Sequence, residues 1–299
     1  MIKIKVPATT ANIGPGFDTL GLALNLYQEI TVDKAADEHK IVEWPTEKWV
    51  EDDDNFVILA LEKALLKKKM THLGYHINML RSDIPISRGL GSSAAAIVAG
   101  LFAANYLMND CMSKNEILEI ATELEGHPDN VAPAIFGNLV LATTLNGETH
   151  FSSIDFPDDL KLNVFIPDFK LSTSMARDAL PNHYSRPECI FNISRVSFLI
   201  HALLTKNYEH LPLALSDKIH EPYRFPLIED SAIIREQIGN SDAYGMFISG
   251  AGPTLIALVH QEDQTFDQII NLTDGALTHD WKLQTLDVNK TGAIIEILE

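Results

Sequence analysis

Cysteine is scarce. A chain of 299 residues carries 2, Cys111 and Cys189, and neither sits in a C-x-x-C. No disulfide framework is implied, and no thiolate template for zinc. Positive charge is also short, with 23 Lys plus Arg against 41 Asp plus Glu and a net charge of −18. So acidic a chain lacks the basic patches that nucleic acid or an anionic membrane surface requires, and neither is expected as a partner. Anionic small molecules stay open, because a few arginines or backbone N–H groups can override a global field. Long apolar runs are missing too. The stretch after Ser93 is short and alanine-rich, so no membrane span is expected. Nothing at the N-terminus resembles a signal peptide; Met1 to Val6 alternates as a strand does. We find no internal repeat and no low-complexity segment. With 46% apolar residues a real core can form. The length suits two ordinary domains of a soluble cytoplasmic protein.

What the chain does have is glycine in three polar loops. The central one, residues 83 to 96, runs through Pro85, Ile86, Ser87, Arg88, Gly89, Leu90, Gly91, Ser92, Ser93 and Ala94 into an apolar helical run. Gly89 and Gly91 allow a tight turn and close backbone approach to a ligand. Ser92 reads as a helix cap. The unpartnered N–H groups of the first turn form an anion site, and phosphate is the first expectation. Two familiar phosphate loops fit poorly. No lysine follows Gly91, as G-x-x-x-x-G-K-[ST] demands. No strand runs into Gly89, as a dinucleotide fold demands. The other loops are residues 7 to 18 and 249 to 254. Either alone reads as a turn-rich connector. Together, three such loops could hold a nucleotide and an acceptor.

Around them the pattern is mixed. Strands are expected at 2–6, 20–32, 75–80, 139–143, 160–166, 243–249, 255–259, 281–288 and 293–298. Helices are expected at 55–66, 92–104, 113–125, 172–181, 190–204, 208–216, 228–237 and 263–273, with a short apolar turn or helix at 131–136 after a loop at 125–130. Residues 34 to 53, with Trp44 and Trp49, read as acidic and irregular. Ser113 and Glu116 form a capping-box signature. This order suggests an α+β or split βαβ sandwich, with a first domain over 1–155 and a second over 156–299.

Phosphoryl transfer needs backbone donors, a hard cation with oxygen ligands and positive side chains. Ser92 or Ser93 could offer a hydroxyl to Mg²⁺, and Glu125 a carboxylate. Arg177 and Arg224 suit forks to carboxylate or phosphate. Each also has a surface reading, as a solvated or ion-paired charge. Glu125, His127 and Asp129 crowd together but match no zinc spacing. His127 reads better as a structural or substrate-positioning group than as a metal ligand or base.

The three loops resemble the signature motifs of the GHMP kinases, a superfamily that includes galactokinase, homoserine kinase, mevalonate kinase and phosphomevalonate kinase. Within it, the segments at Asn12–Asp18, Glu125–Pro133, Ser172–Arg177 and Glu221–Arg224 are most similar to the homoserine kinases, and the resemblance spans nearly the whole chain. It implies an N-terminal ribosomal-protein-S5-like domain, a C-terminal ferredoxin-like domain and ATP between them. It implies MgATP-dependent phosphorylation of the side-chain hydroxyl of L-homoserine. On that resemblance residues 85 to 94 would wrap the phosphates, and Ser93 with Glu125 would meet Mg²⁺. Asn12, Asp18, His127, Asn130, Arg177 and Arg224 would line the acceptor pocket. Asp18 would suit the ammonium, and the arginines the carboxylate or the transferred phosphoryl. Asn130 and Arg177 would act at the reacting centre. Some relatives place a basic aspartate in the neighbourhood of Asn130, which cannot serve as a base; the proton would then leave to phosphate or, as the alternative, to Asp18. A homodimer is also implied. Two other readings remain: a GHMP-type kinase for another small alcohol, and a nucleotide-binding sensor without turnover.

Overall fold

The computed structural model describes residues 1–35, 39–43, 55–263 and 276–298. The first unit holds β1 (Ile2–Ala11), β2 (Leu20–Lys34), β3 (Lys40–Glu43), α1 (Phe56–Lys67), β4 (Tyr75–Ser82), α2 (Ser92–Leu107), α3 (Lys114–Glu125), α4 (Pro128–Phe136), β5 (Leu139–Leu145) and β6 (Glu148–Ile154). The second holds β7 (Leu160–Pro167), α5 (Thr173–Asp178), α6 (Arg186–Thr205), α7 (Leu211–Ala214), α8 (Glu221–Arg224), α9 (Ser231–Gly239), β8 (Gly245–Ile248), β9 (Leu255–His260) and β10 (Trp281–Leu286). The last strand is β11 (Ile294–Ile297).

β2 organises the first sheet because it is long enough to fork. Its start, Leu20–Leu22, pairs with β5, and its end, Gln28–Lys34, pairs with β4. β1 lies antiparallel on its other side, with a bulge at Pro7/Ala8. The bulge accommodates a proline that has no ladder N–H to give, so β1 runs on to Ala11. The expected loop at 7–18 therefore begins only at Asn12.

α2 is buried on almost every side, from Ala94 to Leu107, as a helix apolar all round must be. Gly100 lets α1 cross it closely: a Cβ there would stand 2.1 Å from the Val57 carbonyl. α3 carries the expected capping box, with Ser113 and Glu116 each accepting from the other's backbone N–H. β6 lies outside the expected strands, because its apolar residues alternate only weakly.

The second sheet is antiparallel in the order β10-β7-β9-β8. Numbered within this unit, that is 4-1-3-2, the ferredoxin-like order. The expected boundary at 155/156 falls between β6 and β7. The C-terminus does not stay with the second unit. β11 returns to pair with β1, Ile2 opposite Ile297 and Lys5 opposite Ile294, which covers an edge β1 would otherwise expose.

α6 starts at Arg186, earlier than periodicity suggests, because Ser185 and Glu188 cap it. The helix expected at 208–216 is a 3-10 turn over Tyr208–His210 followed by α7. α9 starts at Ser231, three residues later than expected. Trp44, Trp49 and nearly all of the helix expected at 263–273 lie outside the described residues. α6 is also long and apolar enough to cross a membrane by length and composition alone. The expectation that no such run exists is corrected to that extent. Its inner face, including Leu199, Ala202 and Leu203, is buried in the protein.

Candidate active site

The glycine loop is built by close contacts that exclude side chains. A Cβ on Gly89 would stand 2.3 Å from the Ser249 carbonyl, and one on Gly91 would stand 2.0 Å from Thr9 Oγ1; both residues have positive φ. Ser249 Oγ lies 2.8 Å from Thr10 Oγ1 and 2.5 Å from the Gly89 carbonyl. Thr254 N donates to Arg88 O, and Gly250 N to Ala11 O. β1, the glycine loop and the loop at 249–254 are thereby stitched into one wall. Arg88 lines the cavity, but its guanidinium is bonded to backbone carbonyls. Its Nε donates to Pro167 O at 2.9 Å and its Nη2 to Asp168 O at 2.5 Å, which anchors the loop to the end of β7.

α2 starts at this wall. Ser92 is not its cap: Gly91 occupies the N-cap in the left-handed region, and no side chain caps the helix. The first-turn N–H groups stay available beside the cavity, with the positive end of the helix dipole behind them. Ser93 Oγ donates to Glu125 Oε1 at 2.8 Å. Burial pushes the Glu125 carboxyl up, opposed by the Ser93 bond and by His127.

α4 supplies a second cluster in its first turn. Pro128, Asp129 and Asn130 belong to the helix rather than to the loop before it. His127 Nδ1 bonds Asp129 Oδ1. Asn130 Nδ2 donates to the same oxygen at 3.2 Å, and Thr9 Oγ1 donates to Asn130 Oδ1 at 2.9 Å. Burial works to lower the His127 pKa. The bond and charge of Asp129, with Glu125 and Asp18 beyond, outweigh it and leave the pKa raised.

The opposite wall is cationic. Arg177 grips Asp18 through both nitrogens, at 3.1 and 3.0 Å. Arg224 is 2% exposed, donates to Gly250 O at 3.0 Å and to Ala176 O at 3.2 Å, and stands 5.2 Å from the Phe17 ring centre. Its Nη1 also lies 3.3 Å from His220 Nδ1. A guanidinium only donates, so Nδ1 of His220 is the bare acceptor and Nε2–H donates to Gly14 O at 2.8 Å. Burial, against the pull of Asp217, holds His220 below the usual imidazole pKa. Asp217 itself receives the backbone N–H groups of Ile219, His220 and Glu221. Asn12 is a brace: it donates to Gly250 O and accepts from Asp18 N.

These walls enclose a cavity of about 470 Å³. Among its lining are Asn12, Asp18, Ile86, Ser87, Arg88, Gly89, Gly91, Ser92, Ser93, Glu125, His127, Asn130, Arg177 and Arg224. Pro85, Leu90 and Ala94 do not line it; Leu90 and Ala94 point into the core. Sequence reasoning missed three contributors. Phe17 is a platform under both arginines. Asp129 holds His127 and Asn130. Gln28 lines the cavity 2% exposed, with its Nε2 unpartnered. A glutamine on a strand carries no motif, the arginines over Phe17 come from distant segments, and the burial that gives Asp129 its grip is decided by the fold.

Residues 55–138 match the family model described as the GHMP kinases N terminal domain, and residues 199–271 match GHMP kinases C terminal. A homoserine kinase from Clostridium novyi (strain NT) is 40% identical over 296 residues, covering 99% of each chain. Another, from Clostridium acetobutylicum, is 40% identical over 295 residues and covers 99% of this chain and 100% of the relative. The crystal structure of homoserine kinase from Cytophaga hutchinsonii aligns at TM-score 0.88 and 27% identity, over 98% of this chain and 96% of that one.

Proposed function

The chain belongs to the homoserine kinases of the GHMP superfamily, and from that membership we propose how its residues divide the work. The reaction moves the γ-phosphoryl of ATP to the side-chain hydroxyl of L-homoserine, giving O-phospho-L-homoserine and ADP in threonine biosynthesis. One observation carries the reading. A carboxylate, Asp18, stands beside two arginines, Arg177 and Arg224, in the same cavity as an uncapped helix start. A carboxylate next to guanidinium groups is complementary to an α-amino acid. A helix start lined by glycine is complementary to phosphates.

Gly89 to Ser93 and the first turn of α2 would hold the triphosphate. The fit rests on the uncapped first turn of α2 beside the cavity and on Gly89, whose lack of a Cβ lets the loop pack against the Ser249 carbonyl. Ser93 and Glu125 would hold Mg²⁺, a hard cation suited to their oxygens. Among the described residues no group of three or more His, Cys, Asp or Glu is arranged to hold a metal. Mg²⁺ commonly takes one or two carboxylates and completes its shell with phosphate and water oxygens. When bound, it would cancel phosphate charge.

Asp18 would release Arg177 to meet the substrate ammonium, freeing Arg177, with Arg224, for the carboxylate or the transferred phosphoryl. Asn130 and His127 would face the acceptor hydroxyl. The cavity carboxylates have other work: Asp129 is bonded by His127 and Asn130, Glu125 by Ser93, and Asp18 would exchange Arg177 for the ammonium. We therefore assign none of them as base, and the hydroxyl proton leaves on a phosphoryl oxygen. Positioning and charge stabilisation supply the rate. A cytoplasmic location and a homodimer complete the proposal; the outward face of α6, with Ile190, Ile193 and Leu204 exposed, supports the latter.

The test is ATP turnover with Mg²⁺ on L-homoserine, L-serine, L-threonine and mevalonate, with products identified by mass. Turnover favouring L-homoserine is expected. Preference for mevalonate, or ATP binding without turnover on any acceptor, would refute the reading.

A further inference from the structure

Asp129 contacts His127 and Asn130 but has no part in the reaction as proposed above. It is 2% exposed, at the second position of α4, and it lines the cavity. One oxygen, Oδ1, takes both His127 Nδ1 and Asn130 Nδ2. These two residues reach the cavity from either side of it.

The contacts determine what each neighbour can present. A carboxylate only accepts. Asn130 must therefore turn its NH₂ toward Asp129 and its carbonyl toward the Thr9 hydroxyl, which donates to it. The amide cannot flip without facing Asp129 Oδ1 with its own oxygen. One N–H is committed, and the second remains to be offered. His127 must keep its proton on Nδ1, so Nε2 is the atom that varies with the ligand. Removing the carboxylate would release both choices at once.

We propose that Asp129 is a positioning residue of the acceptor pocket, which sets the Asn130 amide orientation and the His127 tautomer and acts on the reaction only through them. The proposal rests on the assignment of this cavity as the acceptor site, and refines it. α4 makes the arrangement rigid: Gly21 packs against the Asp129 carbonyl so closely that a Cβ there would stand 1.6 Å from it. Asp129 is thus held by its backbone as well as by its side-chain bonds.

A double-mutant cycle separates this role from a structural one. Asp129→Asn keeps shape and removes the charge. A charge-assisted bond lost in a buried site corresponds to roughly 10- to 150-fold. We expect kcat/KM for L-homoserine to fall in that range, with KM for ATP within about twofold. In a His127→Ala/Asn130→Ala background the same substitution should change kcat/KM by less than about threefold. A full, multiplicative loss there would overturn the proposal, as would a matching rise in KM for ATP. A second readout needs no turnover. The nitrogen resonances of the neutral His127 ring should report Nδ1–H in the parent and a shift toward Nε2–H in Asp129→Asn. Unchanged resonances would overturn the proposal even if the acceptor proved to be another alcohol. A parent enzyme inactive on L-homoserine, with the tautomer shift intact, would sink the acceptor assignment alone.

Discussion

Replacing Glu221 by Gln should make the protein more stable, and only above a particular pH. Glu221 opens α8, the helix that carries Arg224. Its Oε1 accepts from Ile248 N at 2.9 Å, tying α8 to the end of β8, where the loop at 249–254 begins. Burial, opposed by that bond, pushes its carboxyl from 4.5 up to about 8. Below pH 4.5 the folded and unfolded chains both carry the proton. Between 4.5 and about 8 the unfolded chain releases it while the folded chain retains it. Folding stability then falls by up to about 1.4 kcal/mol per pH unit, to a ceiling of roughly 5 kcal/mol. Above about pH 8 the loss is constant. The glutamine amide would mimic the neutral acid, and its carbonyl oxygen would still accept from Ile248 N. Urea unfolding of both proteins at pH 5, 6, 7 and 8, followed by far-UV circular dichroism, measures the difference. The two should nearly coincide at pH 5 and diverge by about 2 to 5 kcal/mol at pH 8, the variant being the more stable. The kcat/KM of Glu221→Gln should stay within about threefold of the parent, because the tie to β8 is kept. A gap that does not grow with pH would refute the reasoning, and so would a variant less stable at pH 8.

Other substitutions probe the cavity and its frame. Gly89→Ala places a Cβ 2.3 Å from the Ser249 carbonyl at φ +78°, so it should abolish saturable ATP binding in calorimetry; near-normal binding would show that the loop is not the phosphate cradle. Gln28→Leu removes a buried donor that has no partner. Stability should hold or rise by about 1 kcal/mol while KM for ATP rises several-fold; a loss of stability instead would mean that Gln28 is satisfied without nucleotide. His279 sits between Asp168 Oδ1 at 2.9 Å and Glu229 Oε2 at 3.1 Å. Burial works to lower its pKa, but the bonds and charges of Glu229 and Asp168 prevail and raise it. Its contribution to stability is full below pH 6.5 and fades as pH rises through the raised value, so the unfolding midpoints of the parent and His279→Gln should converge on the alkaline side.

Local sequence determined more of this protein than its length would suggest. Gly89, Gly91 and the apolar run behind them demand a turn into a buried helix, because few other residues tolerate that backbone. The capping box at Ser113, the alternation in β2 and the run of motifs through 12–18, 125–133, 172–177 and 221–224 were all legible, and with them the kinase architecture. What depends on contacts between distant residues was not. Gly91, not Ser92, caps α2, because Thr9 from β1 occupies the space a side chain would need. Arg88 lies in the phosphate loop by sequence yet is consumed by the carbonyls of Pro167 and Asp168, some eighty residues on. β11 closes the first sheet because β1 presents an open edge. Asp129 and Asn130 are neighbours in any reading of the chain. His127 is also close in the chain, but only the fold brings Thr9 to Asn130 and buries the Asp129 oxygen that both neighbours share.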